Sequence, residues 1–402
     1  MKGADRTSGG AGNSSPPPLQ PAAELRGSQT RASIDKAERL RDALTLSLLP
    51  GLGPRTQASL LEVFGDPGNV LQADESSLMS VPGVGPKLVH TIRTAAHHVD
   101  PQGVLDWCRQ NDCQVLLRGS DAYPNLLNDL DDAPSVLFCR GTMLPCDEIA
   151  VAIVGTRHAT AYGTRQAERM AFALASAGVT VVSGLARGID AAAHQGALSA
   201  GGRTVAVLGG GLGQIYPAEH APLADSIADQ GAVVSEFAPQ AKPRGGMFPQ
   251  RNRLIAALSL ATLVVEAPDR SGALITARLA GELNRDCLAI PGPISSRASR
   301  GTNQLIRDGA TLVQSVDDVL ETLGPMTRAV KTSDGHEIRN PAELSLNDIE
   351  RSVLECIQPD STAIDRVIGD SKLPAHQVMA TISVLEMRRL IRRLSGQYVS
   401  RI

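Results

Sequence analysis

Aromatic residues are scarce: one Trp, four Tyr and five Phe in 402 residues. A long, sequence-tolerant stacking platform of the kind an OB-fold builds needs more rings than that. Long apolar runs are missing as well. No stretch of eighteen apolar residues occurs, and the N-terminal "MKGADRTSGGAGNSSPPPLQPAAEL" has no apolar core of a secretory signal. Neither a membrane span nor export is predicted, and a cytoplasmic location is expected. The six cysteines (Cys108, Cys113, Cys139, Cys146, Cys287, Cys356) form no CxxC pair and have no histidines at zinc spacing, so reduced structural thiols are expected. The net charge of -3 excludes a molecule that is cationic all over, and confines any polyanion site to a patch. There is no Walker GxxxxGK[ST], no GxSxG elbow and no HExxH. No catalytic nucleophile, metal or cofactor is expected.

One local absence stands against that balance. Between Phe237 and Val265 there is no Asp or Glu, whereas Lys242, Arg244, Arg251 and Arg253 all fall there. The centre of this stretch, "FPQRNRLIAALS" (248–259), puts an aromatic, two arginines and an asparagine before an apolar helical run. A helix beginning near Arg251 or Asn252 would aim its first amides and the Arg251 and Arg253 side chains at a phosphate, with Phe248 offering a face to a base. The competing reading makes Phe248 core and the arginines a solvated helix start.

Composition divides the chain. Residues 1–35 are rich in Gly, Ser and Pro and read as a disordered tail. Residues 36–100 form a small helical domain with an internal echo, "LLPGLGPRTQASLL" (48–61) and "VPGVGPKLVHTI" (81–92). Each copy is an apolar residue, PGxGP and a cation, then a helical pattern. That is the form of a helix-hairpin-helix element, with Arg55 and Lys87 facing phosphates; a plain αα-hairpin capped by glycine is the alternative. Residues 101–325 pass from a connecting segment (123–141) into apolar runs at 149–155, 179–184, 204–211, 232–237, 261–267 and 286–292. Helical patterns at 166–177, 190–200, 223–229, 252–259 and 273–283 alternate with them. The alternation predicts an α/β fold, a Rossmann-like doubly wound parallel sheet whose ligands sit at the strand C-terminal ends. Residues 326–343 read as a linker, and 344–402 as a winged helix: helices at 347–357, 362–368 and 374–390, then "IRRLSGQYVSRI".

Three strand ends are rich in glycine and polar residues. "VGTRHATAYG" offers Gly155, Thr156 and Arg157; "SGLARGIDAAAH" offers Ser183, Gly184, Arg187 and Gly188; "GGGLGQIYPAEH" offers Gly209 and Gly210. Glycines let a backbone approach a ligand, hydroxyls and helix N-termini donate to phosphate, and the two arginines add charge. Singly, each glycine reads as a tight βα turn; three glycine-rich strand ends in one sheet reverse that preference. A dinucleotide fingerprint is broken at both candidate places, although Glu236 at a strand end keeps a small nucleotide ligand open as a ribose-binding acid. Asp190 and His194, four apart, read as a helix-start charge and an exposed histidine.

Taken in order, "VGTRHATAYG", "VSGLARGIDAAAHQGAL", "TVAVLGGGLGQIYPAEH", "SEFAP", "FPQRNRLIAALS", "SGALITA", "IPGPI" and "GTNQLIRDGA" resemble the DNA-processing protein A (DprA/Smf) family of bacteria. The resemblance covers most of the chain. It implies an extended Rossmann fold that binds single-stranded DNA, self-associates as a homodimer and loads the RecA recombinase during natural transformation. The DNA-binding residues it implies are Gly155, Thr156, Arg157, Ser183, Gly184, Arg187, Gly188, Gly209, Gly210, Phe248, Arg251, Asn252 and Arg253. The family's GSR becomes Gly155-Thr156-Arg157 here, and its frequent lysine becomes Arg187, a planar fork in place of a point charge. The rival reading is a nucleotide enzyme such as a phosphoribohydrolase, but "IPGPISSRASRGTN" (290–303) lacks the glutamate of a PGGxGTxxE loop.

Overall fold

A computed structural model of the chain describes residues 22–323, 330–331, 335 and 337–402. Its centre is a nine-stranded sheet in the order β1-β2-β6-β5-β4-β3-β7-β8-β9. The strands are β1 (Cys113–Leu117), β2 (Val136–Gly141), β3 (Ala150–Val154), β4 (Thr180–Ser183), β5 (Thr204–Val207), β6 (Ala232–Ser235), β7 (Ala261–Val264), β8 (Asp286–Ala289) and β9 (Thr311–Leu312). From β6 across to β9 all neighbours are parallel. Strands β3 to β7 are buried along their whole length, as Val, Ala and Ile runs covered on both faces must be. Helices Ala161–Ser176 and Ile189–Ser199 pack on one face, and Met247–Ala257 and Gly272–Glu282 on the other. The chain moves outward from β3 to β6 and then returns to β7 on the far side of β3, so the loop after β3 lies at the topological switch point.

The six predicted strands are all present, but each ends earlier than its apolar run. The glycine-rich tails at 155, 184 and 208–211 leave the sheet as loops at its C-terminal edge. The segment 123–141 is more than a connection: β2 lies in it, pairs antiparallel with β6, and buries Leu137 and Phe138 completely. With β1 it widens the sheet by two antiparallel strands that the βα alternation does not announce.

In the N-terminal region both echoes form the same turn. Leu52 N bonds Leu49 O and Val84 N bonds Val81 O, with Pro at the second position and Gly51 or Gly83 at positive φ in the third. Helices Pro54–Phe64 and Pro86–Arg93 follow, each with Pro at its first position and Gly53 or Gly85 as N-cap. Helix Ala22–Ser47 precedes them, so residues 22–35 lie in a helix and not in the expected tail; residues 1–21 are outside the described residues. The same helix buries Leu44 beside Phe138 and Leu208, which makes the helical domain a wall of the central one.

The C-terminal domain has its own core around Val353, Val378, Ile382 and Leu385. Helices Asp348–Glu355, Ile364–Ser371 and Ala375–Met387 are followed by the hairpin Ile391–Leu394 and Tyr398–Arg401, which is a winged helix. The described part of the expected linker packs: Val330 and Ile338 are buried in the central core and Ala342 in the winged-helix core.

One charged knot braces the edge of the sheet opposite the crevice. Asp147 accepts from Arg203 Nε and Nη2 at 2.7 Å each, from Thr180 Oγ1 at 2.8 Å and from Leu144 N at 2.8 Å, while Arg203 also donates to Thr142 O and Gln230 O. Removing one partner of such a pair leaves the other charge unpaired. Asp147→Ala is expected to lower stability by about 3 kcal/mol, read as a lower urea midpoint of the central domain; an unchanged midpoint would show that the knot carries no net stability.

Candidate nucleic-acid interface

The loops after β3, β4 and β5 converge beneath the N-terminal turn of helix Met247–Ala257. They enclose a narrow crevice lined by Arg157, Arg187, Gly209, Tyr216, Phe248 and Arg251 among others. The crevice is narrow, with a cavity volume of about 20 Å³. The helix begins at Met247, one turn before the expected start, because Pro249 sits in the first turn, where an amide has no intrahelical acceptor to lose. Of the first-turn amides, Met247 N is bonded to Arg244 O and Pro249 carries none, and Arg251 and Arg253 lie inside the helix.

That shift changes what the two arginines do. Arg251 is 4% exposed. Its Nη1 donates to Gly184 O at 2.6 Å and to Val207 O, at the ends of β4 and β5, and its Nε to Asn252 Oδ1 at 3.2 Å. Burial lowers its pKa to about 10, with Asp190 opposing and Arg157 assisting that shift, so it stays charged at neutral pH. Asp190 is buried too, and desolvation raises its pKa against the pull of Arg251. Arg253 points away from the crevice, bonding Glu236 at 2.5 Å and facing Asp132 at 3.5 Å. Burial outweighs that pairing and pushes Glu236 up to about 7. The expected phosphate grip by both arginines is thus replaced by one structural clamp and one buried ion pair, and Glu236 is not free to hold a ribose.

Other expected donors are also used internally. Ser183 is fully buried and donates to Ile153 O at 2.6 Å. Thr156 is buried, its amide bonding Glu266 O at 2.7 Å and its hydroxyl accepting from His158 N at 3.2 Å. Asn252 is half-buried, and its amide donates to Gly272 O at 3.4 Å. The glycines make room for protein atoms. A Cβ on Gly184 would fall on the Arg251 guanidinium, and one on Gly209 would lie 2.7 Å from the Phe248 ring. At Gly155, Gly188 and Gly210 the space is taken by Ile189, by Thr156 O and by Pro243.

The exposed set is smaller and more coherent. Arg157 stands with its guanidinium carbon 5.1 Å from the Phe248 ring centroid, and Tyr216 meets the same ring at 5.8 Å, tilted by 51°. Arg187 is exposed and paired with Glu219. Lys242 and Arg244 are exposed just before the helix, on either side of Pro243, which lines the crevice. Both were legible as part of the acid-free stretch. Arg55 and Lys87 are exposed in the first turns of their helices; Arg55 opens onto the cleft between the helical and central domains.

His194 is wholly buried, not exposed. Its Nδ1 donates to Thr204 Oγ1 at 2.7 Å, because that hydroxyl already donates to Val181 O. Burial, then Arg251 and His220, hold its pKa down at about 3, against an ordinary 6.5.

These observations define a doubly wound α/β protein with a cation-rimmed, aromatic-floored crevice at its switch point, flanked by a helix-hairpin-helix tandem and a winged helix. Family profiles agree: DNA recombination-mediator protein A matches residues 114–324, the DprA winged helix domain 337–397 and the SAM-like helix-hairpin-helix tandem 36–97. Protein Smf of Synechocystis is 33% identical over 388 residues, 89% of this chain and 98% of that protein. DNA processing protein DprA of Bacillus subtilis is 38% identical over 221 residues, 55% of this chain and 74% of its own. The X-ray structure of DNA processing protein A from Streptococcus pneumoniae superposes with a TM-score of 0.60 at 33% identity, over 70% of this chain and 96% of that one. The chain belongs to the DprA/Smf family of DNA-processing proteins.

The buried histidine yields a test of the site's frame. The unfolded chain takes up a proton near pH 6.5 that the folded chain refuses until about 3, so stability from neutral His194 is complete above 6.5 and is lost as pH falls through that window. Wild type should lose up to about 1.4 kcal/mol per pH unit more than His194→Leu between pH 6 and 4, measured by urea unfolding; parallel curves would mean that His194 is protonated in the native protein.

Proposed function

We propose that the chain is a non-enzymatic mediator of recombination that binds single-stranded DNA across the crevice and passes it to the RecA recombinase. The observation that carries the DNA reading is the Arg157, Phe248 and Tyr216 group at the crevice mouth. With so little room in the crevice, a base reaches the ring only when Arg157 swings off its face, and the freed guanidinium is then placed to take the adjoining phosphate. A base inside a duplex has no such access, which favours single strands. Arg187 extends the phosphate track along the crevice, the exposed Lys242 and Arg244 beside Pro243 add cationic charge next to it, and Arg55 and Lys87 offer a secondary track. The RecA hand-off and a working homodimer are inferred from family membership. A role without turnover fits the internal use of Ser183, Asp190, His194 and Glu236, the groups otherwise suited to chemistry. Among the described residues no helix is long and apolar enough to cross a membrane.

The test is equilibrium binding of fluorescent oligo-dT and its duplex counterpart over a salt series. Phe248→Ala should weaken single-strand binding roughly 5- to 150-fold, the worth of one stacked base. Arg157→Ala should also flatten the plot of log K against log salt by about 0.7, one phosphate contact on a single strand. Binding that shows no strand preference, or that neither substitution touches, would move the site to the flanking domains.

The winged helix is expected to be a weak DNA reader and to serve as a protein-contact or duplex-accessory element. Its helix Ala375–Met387 turns outward His376, Met379, Ala380 and Met387, with no Lys or Arg, and Arg393 beside it is tied to Glu386 and Ser383. Because this domain has its own core, a 344–402 fragment should fold and bind both DNA forms at least about tenfold more weakly than the central domain, a gap of about 1.4 kcal/mol. Equal affinity would refute this assignment.

A further inference from the structure

The crevice holds one cation that is already occupied. Arg187, in the loop after β4, reaches Glu219, in the loop after β5, with Nε to Oε1 at 2.6 Å and Nη2 to the same oxygen at 2.5 Å. Both side chains are 53% exposed. At that exposure an ion pair contributes little to stability. Nor is it needed to join the two loops, because His220 Nδ1 lies 2.9 Å from Leu185 O and ties them independently. What the pair does is place a carboxylate on the guanidinium that would otherwise be open to a phosphate at the crevice mouth.

We propose that Glu219 is an internal stand-in for the DNA phosphate, an affinity-setting residue that a strand must displace from Arg187 before that arginine engages it. The inference rests on the crevice being the single-strand site. A ligand making one phosphate contact gains little by exchanging one anion for another at Arg187. A strand that also contacts Arg157 and the Phe248 ring supplies the additional binding energy for the exchange. Glu219 therefore biases the crevice towards extended polyphosphodiesters over isolated phosphate monoesters. It also means that Arg187 releases no counter-ion on binding, since its counter-ion is part of the protein.

The experiment measures oligo-dT binding by full-length wild type, Glu219→Gln, Arg187→Ala and the double variant over a salt series, with Phe248→Ala as a reference for the site. Glu219→Gln should bind about two- to fivefold more tightly, the worth of an exposed pair, and its salt plot should steepen by about 0.7 because Arg187 then sheds a mobile anion. In the Arg187→Ala background the same Glu219 change should have no effect. Equal tightening in both backgrounds would reduce Glu219 to a general repulsive charge, and no tightening in either would show that Arg187 is not used; each overturns the proposal. If Phe248→Ala binds like wild type, the crevice reading itself has failed, and that result is distinct from either.

Discussion

Arg251 carries a full positive charge at 4% exposure directly beneath the crevice, and the geometry above it depends on how that charge is satisfied. Burying an isolated guanidinium costs several kcal/mol, which is tolerated only where acceptors and an opposite charge surround it. Here the acceptors are the carbonyls of Gly184 and Val207 at the ends of β4 and β5, and the buried Asp190, in the first turn of the helix after β4, pulls the pKa of Arg251 back upwards. One side chain thus pins two strand ends. Its backbone, in turn, carries Phe248 three residues earlier, one helical turn away, over Gly209. The aromatic floor is held in place by a cation that the ligand never needs to touch.

This separates the cations in and around the crevice by depth. Arg251 and Arg253 are buried, the first bonded to strand-end carbonyls and the second paired with Glu236 and Asp132, so their charge is spent inside the protein. Arg157, Lys242 and Arg244 are exposed, and in the proposed binding mode they set the potential that a phosphate meets. Losing a buried member would change the fold around the crevice, whereas losing an exposed one would change only what binds there. Mutational effects on affinity from the two groups therefore have different meanings, and stability has to be measured beside binding to tell them apart.

Much of this was legible before any coordinates. Unbroken Val, Ala and Ile runs alternating with helical patterns specify a buried parallel sheet, and the glycine-rich strand ends mark the edge where loops gather. The repeated PGxGP element specifies a turn, because Pro and a positive-φ glycine at successive positions leave few conformations open. Depth was not legible. Arg251 and Arg253 sit in a motif that reads as cationic and solvent-facing, and only the helix start at Met247, with Pro249 inside the first turn, rotates them inward. The depth of Ser183 and Thr156 is hidden for a related reason: a hydroxyl at a strand end serves a carbonyl or an amide of the neighbouring loop as readily as a ligand. β2 escaped because it joins the sheet antiparallel, after an Asp- and Pro-rich loop, and nothing in the βα rhythm calls for it.

The glycines make the same point from the other side. They were read as space for a ligand, yet at Gly184 and Gly209 that space is filled by Arg251 and Phe248. Without a side chain at 184, the guanidinium lies against the strand end and reaches its carbonyl; without one at 209, the ring settles close enough to the loop to be covered by Arg157 and met by Tyr216. A methyl group at either place would lift the clamp or the ring and change the crevice without touching any residue that faces solvent. The glycine-rich strand ends therefore shape the crevice indirectly. They let the protein pack its own cation and aromatic into the positions from which the exposed groups act.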